Sequence, residues 1–208
     1  AKMFTFNINK LIHAIIFFVN NTSPDKLGKV KLMKLLYYSD FRHMHDYGRP
    51  IIGDTYHKLE NGPIPSLALN LISEAETCIN DQPDEEDLAD TRNYVKQFKE
   101  AIAIKVEDYY GKRKLKFEPK IDFNPRIFSK SDLVIMKKIA DEFYNDNGRE
   151  ISEKSHDELG WKLSELFGMI DYRYALDPDS IDYFNYWEKT LESFRTLLVS
   201  SKAKESFA

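Results

Sequence analysis

The stretch LMKLLYYSDFRHM, Leu32 to Met44, constrains the fold more than any other part of the chain. It belongs to a helix that starts after Ser23 or Asp25, either of which is expected to cap it, and ends near Tyr47 at Gly48-Arg49-Pro50. With Leu32 at zero on a wheel of about 100° per residue, Leu35, Leu36, Met33, Met44, Tyr37, Val30 and Phe41 cover roughly 240°. An apolar arc that wide cannot lie on a surface. It predicts a central helix packed on several sides, with the remaining elements wrapped around it.

Two features break the arc. Asp40 falls inside it, between Leu36 and Met33. A buried carboxylate needs partners or takes up a proton, so Asp40 is read as an anchor for loop N–H groups or a basic side chain. The remaining arc carries Lys31, Lys34, Tyr38, Arg42 and His45 at steps of three and four. A basic row interleaved with an aromatic suits either a solvated face or contact with an acidic partner or a phosphate backbone.

The rest of the chain reads as mainly α with a small antiparallel β-sheet, an α+β class. Phe6 to Asn20 repeats apolar residues at three and four and stops at Asn20-Asn21-Thr22-Ser23-Pro24. Tyr56 to Glu60 is a short strand, and Pro65 to Thr77 a helix. Asp81 to Asp90, acidic and containing Pro83, reads as a solvated loop or a partly disordered stretch. Tyr94 to Val106 suits a helix running into a strand. Asp108 to Lys116 suits a hairpin around Gly111, with Leu115 and Phe117 alternating against Lys114 and Lys116. Asp132 to Tyr144 is a helix ended by Asn147-Gly148, and a shorter one covers Ile151 to Leu159. Asp177-Pro178 opens a last helix whose Ile181, Phe184, Trp187, Leu191, Phe194 and Leu198 follow one face.

The 208 residues are enough for one large domain with a core of its own. A net charge of -4 differs from the basic balance of a generic nucleic-acid binder. A single cysteine, Cys78, forms no intramolecular disulfide and suits a reducing compartment. No signal peptide is apparent, the apolar runs are too short to span a bilayer, and a cytoplasmic location with no membrane partner is expected.

None of the residue patterns that could carry catalysis is complete. His43 and His45, two apart on a helix, point about 200° away from each other and cannot share a metal ion; both are expected at the surface or its boundary. Ser155-His156-Asp157 contains the three residue types of a triad, but adjacent residues cannot form the relay. His156 is better read as a cap or a packing partner of Trp161. Cys78 follows Glu74 and Glu76, whose charges weaken it as a nucleophile. Neither a P-loop nor a dinucleotide-binding glycine turn is present. The expectation is a non-enzyme with no metal and no cofactor.

Three segments in order carry a resemblance: Lys34-Leu35-Leu36-Tyr37-Tyr38, Tyr47-Gly48-Arg49-Pro50-Ile51 and Asn61-Gly62-Pro63-Ile64-Pro65. Together with Ile151-Ser152, Ser155-His156 and Trp161 they resemble the Panacea domain, the SocA-like antitoxin family. The resemblance runs from Phe6 to Leu163. It implies a helical domain with a small β element, and an antitoxin that inactivates a cognate protein toxin by direct binding, in a family paired with very diverse toxins. Residues 4–163 are then the antitoxin-like domain and 164–208 a helical C-terminal extension packed on it.

Gly62 permits an unusual backbone angle while Pro63 and Pro65 fix φ. That predicts a rigid strand-to-helix corner presenting Tyr56, Lys58 and Asn61. Toxin contact is expected at this corner and along Lys31, Lys34, Tyr38, Arg42 and His45. The competing reading is a nucleic-acid-binding regulator of its own operon. A helix-turn-helix over Ser129 to Leu159 would serve it, but Glu150, Glu153, Asp157 and Glu158 on the second helix would repel phosphate.

Overall fold

The computed structural model describes residues 4–77, 89–109, 111–177, 179–183, 185–186 and 188–193. Cys78 and most of the acidic stretch after it lie outside these residues. Two compact units are present, 1–175 and 176–208.

In the first unit, α1 (Ile8–Asn21) begins at Asn7, whose side chain accepts from the Lys10 N–H at 3.0 Å. It ends where the Thr22 hydroxyl turns back to the Phe18 carbonyl. Its row Leu11, Ile12, Ile15, Ile16 and Phe18 is buried. The helix α2 (Lys29–Tyr47) is the central element the wheel predicts, packing against α5, α6 and the first hairpin described below. Neither Ser23 nor Asp25 caps it. Ser23 to Leu27 forms a separate turn, and Gly28 is the N-cap, with no side-chain bond. Gly48 closes the other end at φ 72, a left-handed angle glycine adopts freely.

The apolar arc is rotated from its expected position. Val30 is 47% exposed, whereas Lys31 and Lys34 are fully buried. Lys31 Nζ donates to the Tyr144 carbonyl and Lys34 Nζ to the Pro63 carbonyl, each at 2.9 Å. Each lysine stem fills core space while its head satisfies a main-chain oxygen that burial would orphan. His43, expected at the surface or its boundary, is also buried. Its Nδ1 meets the Arg49 carbonyl and its Nε2 meets Ser131 Oγ and Asp132.

After α2 come β1 (Tyr56–Leu59) and β2 (Gly62–Pro65), an antiparallel hairpin pairing Tyr56 with Pro65 and Lys58 with Pro63. The Gly-Pro corner is therefore itself a strand, which proline content argues against in a central position. The register explains why it is tolerated. Lys58 exchanges both backbone groups with 167–168, and the Tyr56 carbonyl accepts from Ile170. Tyr56 and Lys58 thus face the other neighbour, and no ladder bond is lost opposite either proline. A bridge between His57 and Met169 completes the third layer of this small sheet.

The helix α3 (Ser66–Thr77) follows directly. It is capped from outside its own segment by Asp54, whose carboxylate accepts from the Leu67 and Ala68 N–H groups. Next come α4 (Ala89–Ala101) and a second hairpin, β3 (Ile102–Tyr109) with β4 (Lys112–Pro119), matching the expected helix-to-strand transition and the Gly111 turn. Leu115 and Phe117 face inward as their alternation predicts.

Capping boxes start both α5 (Lys130–Glu142), at Ser129 and Asp132, and α6 (Gly148–Ser155), at Asn147 and Glu150. Asn147 therefore begins the next helix rather than ending the previous one. Buried Asp132 also receives Lys10 and Arg49, tying α1, α2 and α5 together. Burial alone would push its carboxyl up. Bonds from His43, Lys10 and the Ser129 N–H outweigh that and hold it well below the usual range.

A short α7 (Leu159–Leu163) and a 3-10 turn, Tyr172–Ala175, complete the unit. Residues 164–175 belong to the first unit. In the second unit the backbone is helical at 179–183, 185–186 and 188–193, and Asp177 caps its start by accepting from the Ser180 N–H. Phe184, Trp187, Phe194 and Leu198 of the expected apolar face lie outside the described residues.

Candidate functional site

Asp40 organises the region around the site. Its Oδ1 accepts from the Ile51 and Ile52 N–H groups at 2.9 and 2.7 Å, and its Oδ2 from the Gly53 N–H at 3.1 Å. The Tyr56 and Tyr172 hydroxyls reach Oδ2 at 3.1 and 3.0 Å. The anchoring role expected of it is what the structure shows, with tyrosines added. Burial pushes the Asp40 carboxyl up, and bonds from Ile52, Tyr172, Tyr56 and Gly53 push back. Together these bonds fix the loop after α2, and with it the hairpin, against the helix.

The eight residues expected to meet a partner divide sharply. Lys31, Lys34, Tyr38 and Tyr56 are buried, so the first half of the stripe and the strand tyrosine are not presented. Burial lowers Lys34 to about 7 and Lys31 to about 8. Tyr56 packs edge-on against Tyr37, Phe41 and Tyr172. The wheel failed here because a lysine at a helical position reads as surface unless its carbonyl partner, distant in sequence, is known.

Of the others, Lys58 is half-buried, with Nζ 4.3 Å from the centre of the Trp161 ring and donating to the Ser164 carbonyl. Asn61 is exposed at the hairpin tip, and its carbonyl accepts from Ser152 Oγ. Trp161 Nε1 donates to the Leu59 carbonyl, and His156 caps α6 and stacks on Trp161 at 4.2 Å, as its proximity suggested.

Tyr38, Arg42 and His45 do come together. They line a cleft of about 490 Å³ between the C-terminal half of α2, the start of α7 and the turn at Tyr172–Ala175. The opposite wall holds Glu158, which the sequence offered only as an obstacle to phosphate, together with Gly160 and Tyr174. Beside the cleft the Tyr37 hydroxyl is buried without a hydrogen-bond partner among the described residues. Gly160 makes that approach possible, since a Cβ there would stand 2.9 Å from Tyr37 Oη. Arg42 pairs with Glu142 at 3.6 Å and His45 with Asp46 at 2.7 Å. Glu158, by contrast, has no ion pair among the described residues. Burial pushes its carboxyl up, with Glu142 and Asp157 adding to that and Arg42 and Lys162 opposing it.

Beside the cleft, Leu159, Leu163, Leu166, Phe167 and Met169 are exposed along one continuous segment. Phe167 sits at φ 65, a left-handed angle that costs a bulky residue about 1–2 kcal/mol. Bonds at both flanks hold it there: its N–H donates to the Lys58 carbonyl at 2.8 Å, and the Lys58 N–H donates to the Gly168 carbonyl at 2.9 Å. The signal in the sequence was a cluster of large apolar residues with neither helical nor strand period. Elsewhere, Lys26, Lys29, Arg113 and Lys114 border a groove of about 600 Å³, so the basic hairpin meets the N-terminal end of α2. Among the described residues, no group of three or more His, Cys, Asp or Glu side chains is placed to hold a metal ion, and no helix is long and apolar enough to cross a membrane.

Fold and site together define a helical α+β domain built around one buried helix, with a recessed cleft and an apolar ledge at that helix's C-terminal end. The family model described as "Antitoxin SocA-like, Panacea domain" matches residues 32–162, more than half of the chain, and the chain belongs to that family. Comparisons with curated proteins and with solved structures give no significant match. The match takes in both helical walls of the cleft and stops just before Leu163, so most of the ledge lies beyond it.

Proposed function

We propose that this chain is the antitoxin of a toxin–antitoxin pair and neutralises a cognate protein toxin by direct binding through the face that carries the cleft and the ledge. Family membership supports the antitoxin role. The observation that carries the choice of face is the exposed run from Leu159 to Met169, with Phe167 held in a costly backbone conformation. Large apolar side chains fixed on a rigid support lose little freedom on binding and suit the buried centre of an interface. The ledge also continues past the family match, where partner-specific surface is expected in a family with diverse toxins. Arg42, His45 and Asn61 remain in this reading as rim residues; Lys31, Lys34, Tyr38 and Tyr56 act by supporting the face from within.

The test is co-expression with the toxin encoded by the adjacent reading frame. Phe167→Asp and Leu163→Asp should abolish growth rescue and co-purification while the circular dichroism of the antitoxin stays unchanged. Full rescue by both folded variants would reject this face. An operon-regulator reading is favoured by the groove at Lys26, Lys29, Arg113 and Lys114, although exposed Glu150, Glu153 and Asp157 oppose a helix-turn-helix at α5–α6. A gel shift that weakens steeply with salt and is lost on Lys29→Glu and Arg113→Glu would support it.

A further inference from the structure

We propose that the outer edge of β3 pairs with β3 of a second copy of this chain, antiparallel, with Val106 opposite the partner's Val106. This pairing is independent of the toxin-binding reading.

The edge is open. The register of the second hairpin runs unbroken from Ile102–Pro119 to Tyr109–Lys112, and the Lys120 N–H donates to the Ala101 carbonyl at 2.8 Å. Bonded and non-bonded pairs alternate along an antiparallel ladder. Ala103, Lys105 and Glu107 therefore turn their main-chain groups to β4, and Ile104, Val106 and Asp108 turn theirs away from it. No hydrogen bond among the described residues receives those outward groups. Lys105 to Asp108 are exposed in succession, on both faces of the strand. Such an edge is a template for another strand.

Charge selects the occupant. A two-fold axis at Val106 sets Lys105 opposite the partner's Glu107, and Glu107 opposite the partner's Lys105, so each contact is made twice. Opposite charges directly across a sheet are stabilising and like charges are not. The adjacent register on one side sets Lys105 against the partner's Lys105, and on the other Glu107 against the partner's Glu107. The same charges that blunt the edge elsewhere thus admit this one alignment. Within its own hairpin Lys105 lies directly opposite Lys116, so a carboxylate on its open side offsets a like-charge pair. The other face of the strand agrees. Val106 lies across from buried Leu115 yet is 51% exposed. Pairing sets it beside the partner's Val106 and extends the apolar row. Asp108, which falls opposite the partner's Ile104, keeps its carboxylate on the Gly111 N–H at 2.8 Å.

A strand pairing of this length sits at the small end of specific interfaces, and a dissociation constant of about 10–100 μM is expected. Sedimentation equilibrium of the full chain from about 5 to 500 μM should show monomer and dimer exchanging. In hydrogen exchange followed by NMR, the amides of Ile104, Val106 and Asp108 should gain protection as concentration rises. Lys105→Glu and Glu107→Lys should each weaken self-association by about tenfold, because each sets like charges opposite one another at two places. An equimolar mixture of the two variants should associate again, since each chain offers the charge the other lacks. Val106→Pro removes only an outward N–H, a change an edge strand tolerates, and should abolish the dimer.

A wild-type chain that stays monomeric throughout, a dimer that survives both charge variants, or a mixture that fails to associate would each overturn the pairing. Protection of the three amides that appears only when the toxin is added would also overturn it, by assigning the edge to a toxin strand. A chain that dimerises as described but forms no toxin complex would count against the toxin-binding reading alone.

Discussion

The Tyr172 hydroxyl stands 3.0 Å from Asp40 Oδ2 and 2.8 Å from the Asp54 carbonyl. It has one proton and faces two acceptors. The Tyr56 hydroxyl is in the same position, between Asp40 Oδ2 and the Leu36 carbonyl at 3.0 Å. If both tyrosines donate to the carbonyls, Asp40 Oδ2 meets two bare hydroxyl oxygens. A proton on Asp40 would serve one of the two, and burial pushes this carboxyl in that direction against the bonds it accepts.

The Asp40 cluster predicts a clear contrast between two substitutions. Asp40→Asn keeps an acceptor for the Ile51 and Ile52 N–H groups and supplies N–H donors to the tyrosines, but its amide nitrogen replaces the oxygen that accepts from the Gly53 N–H. It should cost about 1–2 kcal/mol in urea denaturation, from that one lost bond. Asp40→Ala strands several buried donors at once and should cost about 3–5 kcal/mol. The sign with pH follows. A carboxyl whose folded pKa is raised contributes stability that is full below its unfolded pKa and is lost as pH rises through the folded one. Asp40→Asn should remove that loss, and an infrared band of a protonated carboxyl should disappear with it.

Gly62 tests the fit between hairpin and helices. It has φ 95, and a Cβ there would overlap Ser155 Oγ and stand 2.9 Å from Lys34 Cε. Gly62→Ala should destabilise by about 2–4 kcal/mol, combining backbone strain with overpacking. Ser155→Ala removes the oxygen that the new methyl would strike. The double variant should therefore recover part of the loss, leaving the strain of about 1–2 kcal/mol and the close approach to Lys34 Cε. A thermal-denaturation cycle showing strict additivity would mean the methyl and the hydroxyl do not meet.

Phe167 separates stability from binding. Its side chain is 66% exposed and its backbone is strained, so little packing is lost when it is removed. Phe167→Gly should leave unfolding free energy unchanged or raise it by up to about 1 kcal/mol. The same change should weaken the toxin complex by about 2 kcal/mol or more, as loss of a central aromatic anchor does. Calorimetry on both quantities checks the pair.

Much of the fold could be read from periodicity. The central helix, the Asp40 anchor, the Gly111 hairpin and the helix-to-strand transition after Tyr94 all follow from local patterns. What escaped reading depends on partners distant in sequence. Lys31 and Lys34 looked like surface residues because the Tyr144 and Pro63 carbonyls that receive them are set by tertiary packing. Asp54 caps a helix that begins a dozen or so residues later along a route no capping pattern describes. The cleft was half legible: its α2 wall, Tyr38, Arg42 and His45, lies on one stripe, whereas Glu158, Gly160 and Tyr174 join it only through the fold. The ledge left only a weak mark, a cluster of large apolar residues without a period, which names no element and does not say whether the side chains are buried or exposed.

Lys34 gives the protein a characteristic alkaline response. Burial lowers its pKa to about 7 in the folded chain, against an ordinary value of 10.5. Above pH 7 the folded state sheds this proton while the unfolded chain keeps it. Stability linked to Lys34 is therefore fully present above the unfolded value and is lost as pH falls toward the folded one. Between about pH 7 and 10 the unfolding free energy should rise, with a slope of at most about 1.4 kcal/mol per pH unit. Lys31, lowered to about 8 and only part-buried at its bond to Tyr144, adds a smaller contribution of the same sign. Above about pH 10 the trend should reverse. Burial raises the hydroxyls of Tyr37, Tyr38, Tyr56 and Tyr172, so the unfolded chain ionises first and is favoured. Lys34→Met keeps the stem volume and removes the titrating group. Urea titrations at half-unit pH steps should show the rise flattened in this variant and the reversal above pH 10 unchanged. A wild-type profile that stays flat from pH 7 to 10 would mean that Lys34 keeps its charge in the folded state.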